Sequence, residues 1–373
     1  MPRRAPAALS GRASEPRAPI VRIFGWMSIR KRLEYLMLDR ALERGLLPDA
    51  LLRAGSRFGA AARQRHEERG GLAGQSERYD AFVASMREGP IAELPAKANE
   101  QHYELPAEFF ELFLGPRLKY SSSYWPSGVT DLAAAEEAML ELVCARAGIE
   151  DGMRVLDLGC GWGSLSLWIA ERYPQARVLA VSNSAPQRLW IEAERDRRGL
   201  SAPEVITADV NELALAEQFD RVVSIEMFEH MRNWELLLSR IADWLAPDGR
   251  LFVHVFSHRR LAYTFEGTWA AERFFTAGRM PSHELILRFQ RDLAVRESWA
   301  LDGTHYARTL GSWRERLDAN TEQALEVLAG VAGERHARGS LAAWRLFLIS
   351  TEQMWRWRGG SEWMVSHHLL APR

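Results

Sequence analysis

Val155-Leu-Asp-Leu-Gly-Cys-Gly-Trp-Gly163 runs from an apolar segment through an acid into three glycines at alternate positions, and a helix-like pattern follows at once from Ser164 to Arg172. Buried strand, tight turn, helix N-terminus is the reading this order imposes. Glycine allows positive φ and lets another molecule approach the backbone, and a helix N-terminus presents free N–H groups. Asp157, two residues before Gly159, sits at the carboxyl end of the strand, where open α/β sheets bind ligands.

Outward from this turn the chain keeps alternating. Strands are expected at Arg154–Leu158, Arg177–Val181, Glu204–Thr207, Phe219–Ile225, Arg250–Phe256, Leu293–Leu301 and Trp363–Leu370. Helices are expected at Ser164–Arg172, Pro186–Arg198, Trp234–Leu245, Thr309–Ala329 and Leu341–Arg356, with Pro247-Asp-Gly249 as a turn and Asp131 capping a helix to about Ala147. Such alternation with short connections argues for a mostly parallel sheet covered by helices. Before it, Ile20 to about Ala96 is helical in pattern, interrupted at Gly70, Gly71 and Gly74. This first quarter carries no recognisable chemistry; a lid, a dimer element and a peripheral membrane contact are all compatible with it. The expected division is a disordered tail over 1–19, a helical N-terminal extension over 20–97, and a catalytic domain over 98–373.

The composition narrows the function classes. Among 373 residues, 48 basic and 49 acidic side chains nearly cancel, which removes any overall electrostatic case for nucleic acid. Lys31, Lys97 and Lys119 are the only lysines, which reads as genome composition bias. Two cysteines, Cys144 and Cys160, make neither a disulfide framework nor a metal pattern and fit a reducing, cytoplasmic setting. No apolar run is long enough to span a membrane. His102, His283, His336, His367 and His368 form no metal constellation, and no metal is assigned. Trp344, Phe347, Leu348 and Trp355 read as a helix core stripe.

The glycine turn suits either a dinucleotide or an adenosyl sulfonium. A dinucleotide site wants an acid after the second strand, but that strand ends Ala180-Val-Ser-Asn-Ser184. The acids are Asp157 and, after the third strand, Asp209, an arrangement that fits an adenosine-sized ligand without a pyrophosphate. The competing reading of Asp209 is a helix cap. The fourth strand ends Ser224-Ile-Glu-Met-Phe-Glu-His-Met231. It places Glu226, Glu229 and His230 where substrate chemistry occurs in such sheets, and Glu and His are natural acid/base groups. The competing reading makes Glu229 and His230 surface caps of the next helix.

With these residues in hand, the chain resembles the cyclopropane fatty acid synthases and their relatives. The resemblance rests on the glycine turn, Tyr120-Ser-Ser-Ser-Tyr124, Met227-Phe-Glu-His230, Arg273-Phe-Phe-Thr-Ala-Gly278 with Met280-Pro-Ser282, and Thr304-His-Tyr-Ala-Arg-Thr309. It covers about Asn99 to the C-terminus. Within that family, Ala98-Asn-Glu-Gln-His-Tyr-Glu-Leu-Pro106, Ser224–Met231 and Glu362-Trp-Met-Val-Ser366 are similar to the coclaurine N-methyltransferase-like branch.

The resemblance implies a class I, Rossmann-like methyltransferase with a seven-stranded sheet, a substrate-covering insertion around 257–292, and S-adenosylmethionine as donor. It implies that Tyr120, Ser121, Gly159, Gly161, Trp162 and Gly163 meet the methionine side of the donor. Ser182 and Gln187 would bind the ribose, and Asp209 would face the adenine. Cyclopropane synthases hold a bicarbonate-like base through a Glu, a His, a Tyr and a neighbouring Cys. Glu229, His254 and Tyr306 match the first three, and Ser122 stands at the Cys position. Synthases carry Gly where this chain has Glu226, whereas the N-methyltransferase branch carries Glu. Trp269 and Phe274–Phe275 would line the acceptor pocket. A carboxylate beside a lipid alkene would be unpaired and costly, by several kcal/mol or so; beside an amine it has a partner. The expected activity is therefore methyl transfer to an acceptor, an amine preferred. The alternatives are methylene transfer to an unsaturated phospholipid acyl chain and a non-catalytic adenosyl-ligand binder.

Overall fold

The structure, a computed structural model, describes residues 29–93 and 105–373. The expected tail over 1–19 and the Ala98–Glu104 part of the N-methyltransferase-like string lie outside them. Strands β1 (Arg154–Leu158), β2 (Arg177–Ser182), β3 (Glu204–Thr207), β4 (Phe219–Ile225), β5 (Leu245–His258), β8 (Leu293–Asp302) and β9 (Trp363–Pro372) form one sheet in the order β3-β2-β1-β4-β5-β9-β8. The first five are parallel, and β9 enters antiparallel between β5 and β8. A two-stranded ribbon, β6 (Tyr263–Thr264) with β7 (Arg279–Met280), stands apart within the segment after β5.

Successive side chains on a strand point to opposite faces, and here that alternation sorts the core in two. Val155, Val223, Phe252 and Leu369 join one apolar cluster, while their neighbours Leu156, Val222, Leu251, Val253 and Leu370 join the other. The first cluster takes in helices α5 (Leu132–Ala147), α6 (Ser164–Arg172) and α10 to α12 (Gly303–Ala319, Thr321–Ala332, Glu334–Trp355). The second takes in α3 (Gly71–Ser85) and α8 (Trp234–Trp244). Burial on both faces explains the apolar stretches at the centre of the sheet, such as Val222–Val223 of β4 and Leu251–Val253 of β5.

Local chemistry sets the ends. Asp131 caps α5, its carboxylate accepting from the Ala134 N–H at 2.9 Å, and Gly148 closes it in a left-handed conformation. The expected helix over Thr309–Ala329 is two helices, α10 and α11. Asn320 parts them at φ −109° and ψ 30°, its side-chain amide donating to the Leu112 and Arg316 carbonyls. Pro247-Asp-Gly249 falls inside the irregular start of β5, where pairing with β4 jumps from Phe219–Leu245 to Arg221–Arg250. Of the three glycines expected to interrupt the first quarter, only Gly70 does so, at φ 75°; Gly71 and Gly74 belong to α3.

The N-terminal helices α1 (Ile29–Glu43) and α2 (Asp49–Glu68) dock on the C-terminal helices and on the segment after β5. Asp39 accepts from Trp269 Nε1 and from the Arg273 guanidinium, and Tyr35 donates to the Gly267 carbonyl. Arg53 pairs with Glu352 at 3.0 Å, and Trp357 Nε1 donates to Gln64 at 2.9 Å. Among the described residues no helix is long and apolar enough to cross a membrane.

Candidate active site

Three connected cavities open at the carboxyl ends of β1, β2 and β4. One lies over the glycine turn and is lined by Gly159, Gly161, Ser182, Gln187, Asp209, Glu226 and His230. A second adjoins it on the side of Lys119, Tyr120, Ser121, Asp157 and Trp162. The third measures about 370 Å³ and is walled by rings, among them Tyr120, Phe256, Tyr263, Phe275, Tyr306 and Trp355. Glu226 lines all three, and His230 lines both the first and the third.

The glycine turn behaves as its spacing suggests, with one exception. Gly159 has φ 86°, and a Cβ there would lie 2.8 Å from Met227 Cγ, so neither the conformation nor the space admits a side chain. Gly163 lines none of the cavities: a Cβ on it would strike Ile191, which makes it a packing glycine between α6 and α7 (Ala185–Arg197). Asp157 is buried and accepts from the Ser166 hydroxyl at 2.6 Å, and burial pushes its carboxyl up to about 6. Ser182 Oγ donates to Gln187 Oε1 at 2.6 Å, which turns Gln187 Nε2 toward the cavities as a buried donor with no partner among the described residues. Trp162 Nε1 is likewise buried and without a partner among the described residues. Asp209 lines the cavity and accepts from the Asn211 N–H at 2.8 Å; no helix lies between β3 and β4, so it closes a turn and is not a helix cap.

Glu226 gathers the donors that the resemblance divided. Its Oε1 accepts from the Ser122 N–H at 2.9 Å and lies 3.2 Å from His254 Nε2; its Oε2 accepts from the Tyr306 hydroxyl at 2.6 Å. The bicarbonate set expected around Glu229 is thus corrected: His254, Tyr306 and the Ser122 backbone converge on the Glu226 carboxylate. Its residue is left-handed, with φ 48°, a conformation costing a non-glycine residue roughly 1–2 kcal/mol. Burial raises the Glu226 carboxyl, opposed by the Lys119 ammonium, the Ser122 N–H, the Tyr306 hydroxyl and His230.

Glu229 departs from expectation differently. It is fully buried, lines none of the three cavities, and accepts from the Phe256 N–H at 2.6 Å. Its other oxygen has no partner among the described residues, and burial beside the Glu226 charge holds its carboxyl well above the usual range. The helix that follows is capped by Asn233, so neither Glu229 nor His230 is a surface cap. His230 packs on Phe275 with ring centroids 4.3 Å apart, and burial lowers it to about 4, leaving the imidazole neutral.

The acceptor-side wall holds further corrections. Phe275 lines the aromatic cavity, but Phe274 packs into the core against Trp344 and Phe347, and Trp269 turns to Asp39. From the stripe expected to be core, Trp344 and Leu348 are buried there while Phe347 and Trp355 line the cavity. Ser56, Gly59, Ala60 and Arg63 of α2 also line it; their spacing carried no chemical signal in the sequence. Lys119 was passed over too. It is fully buried, donates to Ser121 Oγ at 2.5 Å and to the Ser122 carbonyl at 2.6 Å, and is lowered by burial to about 8. A lysine next to a Tyr-Ser-Ser-Ser run, one of only three in an arginine-rich chain, was the available signal, since a compact ammonium fits where a guanidinium does not.

The comparisons agree with this geometry. The sequence profile of the mycolic acid cyclopropane synthetase family matches residues 93–358. An (S)-coclaurine N-methyltransferase of Thalictrum flavum subsp. glaucum is 38% identical over 354 residues, covering 91% of this chain and 96% of that protein. A crystal structure of coclaurine N-methyltransferase bound to N-methylheliamine and SAH superposes with a TM-score of 0.87 at 38% identity, covering 90% of this chain and 99% of the other. A cyclopropane-fatty-acyl-phospholipid synthase of Escherichia coli strain K12 is 32% identical over 220 residues, 58% of this chain and 56% of that protein. With the seven-stranded sheet, the glycine turn and the converging cavities, these matches place the chain in the mycolic acid cyclopropane synthetase family, as a methyltransferase that uses S-adenosylmethionine.

Proposed function

We propose that the protein transfers a methyl group from S-adenosylmethionine to the nitrogen of a small aromatic amine. The observation that carries this reading is the Glu226 carboxylate, fixed where the donor-side cavities meet the aromatic one. An ammonium brought there finds a counter-charge, and the rings of Tyr120, Phe256, Phe275 and Tyr306 add cation–π attraction of about 0.5–2 kcal/mol. An alkene finds neither. The donors that a bicarbonate would need are already accepted by Glu226, which weighs against methylene transfer to a lipid.

The donor-side residues fit the cofactor. Gln187 Nε2 and Trp162 Nε1 are buried donors without an acceptor among the described residues, and Gly159 leaves room for close approach. Tyr120, Ser121, Gly159, Gly161 and Trp162 would hold the methionine side, Ser182 and Gln187 the ribose, and Asp209 the adenine side, with Asp157 shaping the floor. When bound, S-adenosylmethionine supplies an electrophilic methyl on a positively charged sulfur. Glu226 holds and orients the acceptor ammonium. Neutral His230, facing both compartments, takes the proton that frees the nitrogen lone pair; the Glu226 charge favours the imidazolium while it lasts. A secondary ammonium becomes a tertiary ammonium, and one proton leaves to solvent. The rest of the acceleration is positioning. Glu229 supports the floor beneath these groups. Buried, unpaired Cys144 and Cys160 suit a cytoplasmic enzyme.

Purified protein given methyl-labelled S-adenosylmethionine is expected to label 1,2,3,4-tetrahydroisoquinoline and to leave vesicles of unsaturated phosphatidylethanolamine unlabelled. Label found only in the lipid overturns the amine reading. For the donor side, Gly159→Ala is expected to weaken S-adenosylmethionine binding about ten- to a hundredfold by calorimetry. The left-handed penalty is roughly 1–2 kcal/mol, and displacement of Met227 adds to it. Unchanged affinity would remove Gly159 from the donor site.

A further inference from the structure

A line of hydrogen bonds runs into Glu226 from behind, through residues that neither the donor nor the acceptor cavity contains. Arg146, in the last turn of α5, places Nη1 2.7 Å from His367 Nδ1. His367 Nε2 lies 3.0 Å from His254 Nδ1, and His254 Nε2 lies 3.2 Å from Glu226 Oε1. The sheet builds the middle of this line, because β5 and β9 pair His254 directly opposite His367. Both rings are fully buried, and the half-buried guanidinium lies 4.8 Å from the Trp299 ring.

The chemistry of the end group fixes the direction. A guanidinium has donors only, so His367 Nδ1 must accept. A neutral His367 then carries its proton on Nε2 and donates it to His254 Nδ1. His254 is left with its proton on Nε2, facing the carboxylate. Burial holds both rings well below the usual imidazole range, which keeps them neutral and the sequence of donors unbroken.

We propose that Arg146 and His367 are positioning residues that lock His254 as an Nε2–H donor, so that Glu226 serves as an acceptor-only anion aimed at the substrate ammonium. This rests on the amine reading above. It also means that the proton released by the amine does not leave through His254, whose facing nitrogen is already protonated and whose other nitrogen is engaged by His367. Glu226 is otherwise faced by the Ser122 N–H, Tyr306, Lys119, His230 and Glu229, and His367 by Lys119 and His368 as well as its two partners.

The test uses the full chain as wild type, Arg146→Met, Arg146→Lys and His367→Phe. Nitrogen-15 histidine spectra, recorded without acceptor, should show His254 and His367 as single Nε2–H tautomers in the wild type and as mixed tautomers in Arg146→Met. With tetrahydroisoquinoline, kcat/KM should fall about tenfold in Arg146→Met and His367→Phe, mostly through KM. Removing a donor array that favours the anion raises the Glu226 pKa, so the acid limb of the profile should move to higher pH. Arg146→Lys, which keeps a cationic donor, should restore much of both. Unaltered tautomers together with an unmoved acid limb in Arg146→Met overturn the proposal. If His367→Phe does not fold, the half-buried Arg146 site alone carries the test. Locked wild-type tautomers with no methylation of the amine would overturn the acceptor reading and leave the lock standing.

Discussion

Replacing His230 with alanine is expected to lower kcat for amine methylation by about 10²–10⁴-fold, the usual range for loss of a positioned general base. Two features make this residue the place to look. It lines both the glycine-turn cavity and the aromatic cavity, so one ring faces the compartments proposed for the two reactants. It is also held neutral, lowered by burial to about 4. A charged ring there would repel both a sulfonium and an ammonium. The neutral ring persists above about pH 4, so the acid limb of the wild-type profile should not follow an ordinary histidine. Calorimetry with S-adenosylmethionine should show donor affinity changed far less than kcat, because the glycine turn, Ser182 and Gln187 remain. A His230→Ala enzyme with wild-type single-turnover rates would shift the proton acceptor to Glu226 itself.

The parts of this fold that the sequence makes legible are those where one local pattern suffices. β1, β3 and β4 keep their expected bounds because each is a short segment with an apolar centre set between polar turns, even the edge strand β3, where Val205 alone is buried. Gly159, Ser182, Gln187 and Asp209 share one cavity because each lies at or within a few residues of a strand end, and strand ends in a parallel sheet converge. What stayed hidden depends on contacts between distant segments. Glu226 and Glu229 are three residues apart, yet one enters the cavities and the other goes under them, a difference set by the left-handed turn at Glu226. His367 belongs to no metal constellation in the sequence, and only the β5–β9 register sets it against His254. Phe347 and Trp355 share a helix with Trp344 and Leu348, and periodicity says which side of a helix is apolar but not whether that side meets protein or cavity. Ser56 to Arg63 gave no signal because small side chains wall a pocket by what they leave open.

Glu226→Gly is expected to separate the two chemistries of the family within one chain. The substitution removes the carboxylate while restoring the residue that a left-handed φ of 48° favours. Stability should therefore change little. Relief of roughly 1–2 kcal/mol of backbone strain is offset by leaving the Ser122 N–H, His254 Nε2 and the Tyr306 hydroxyl without their acceptor, at about 1–3 kcal/mol for a buried group. Activity toward the amine should fall about 10²–10³-fold in bicarbonate-free buffer, on the scale of losing a preorganised charge at the reacting centre. The three donors would then surround a space the size of a small planar anion. Millimolar bicarbonate or formate should fill it and recover part of the lost rate, while wild type, whose own carboxylate already satisfies those donors, should not respond. Rates in added bicarbonate, formate and chloride, each compared with wild type, make the measurement. Full activity of Glu226→Gly without any added anion would show that the carboxylate does not hold the acceptor. A loss that no anion reverses would show that Glu226 must be tethered at its own strand end, where β4 hands the backbone to His230, rather than merely present as a charge.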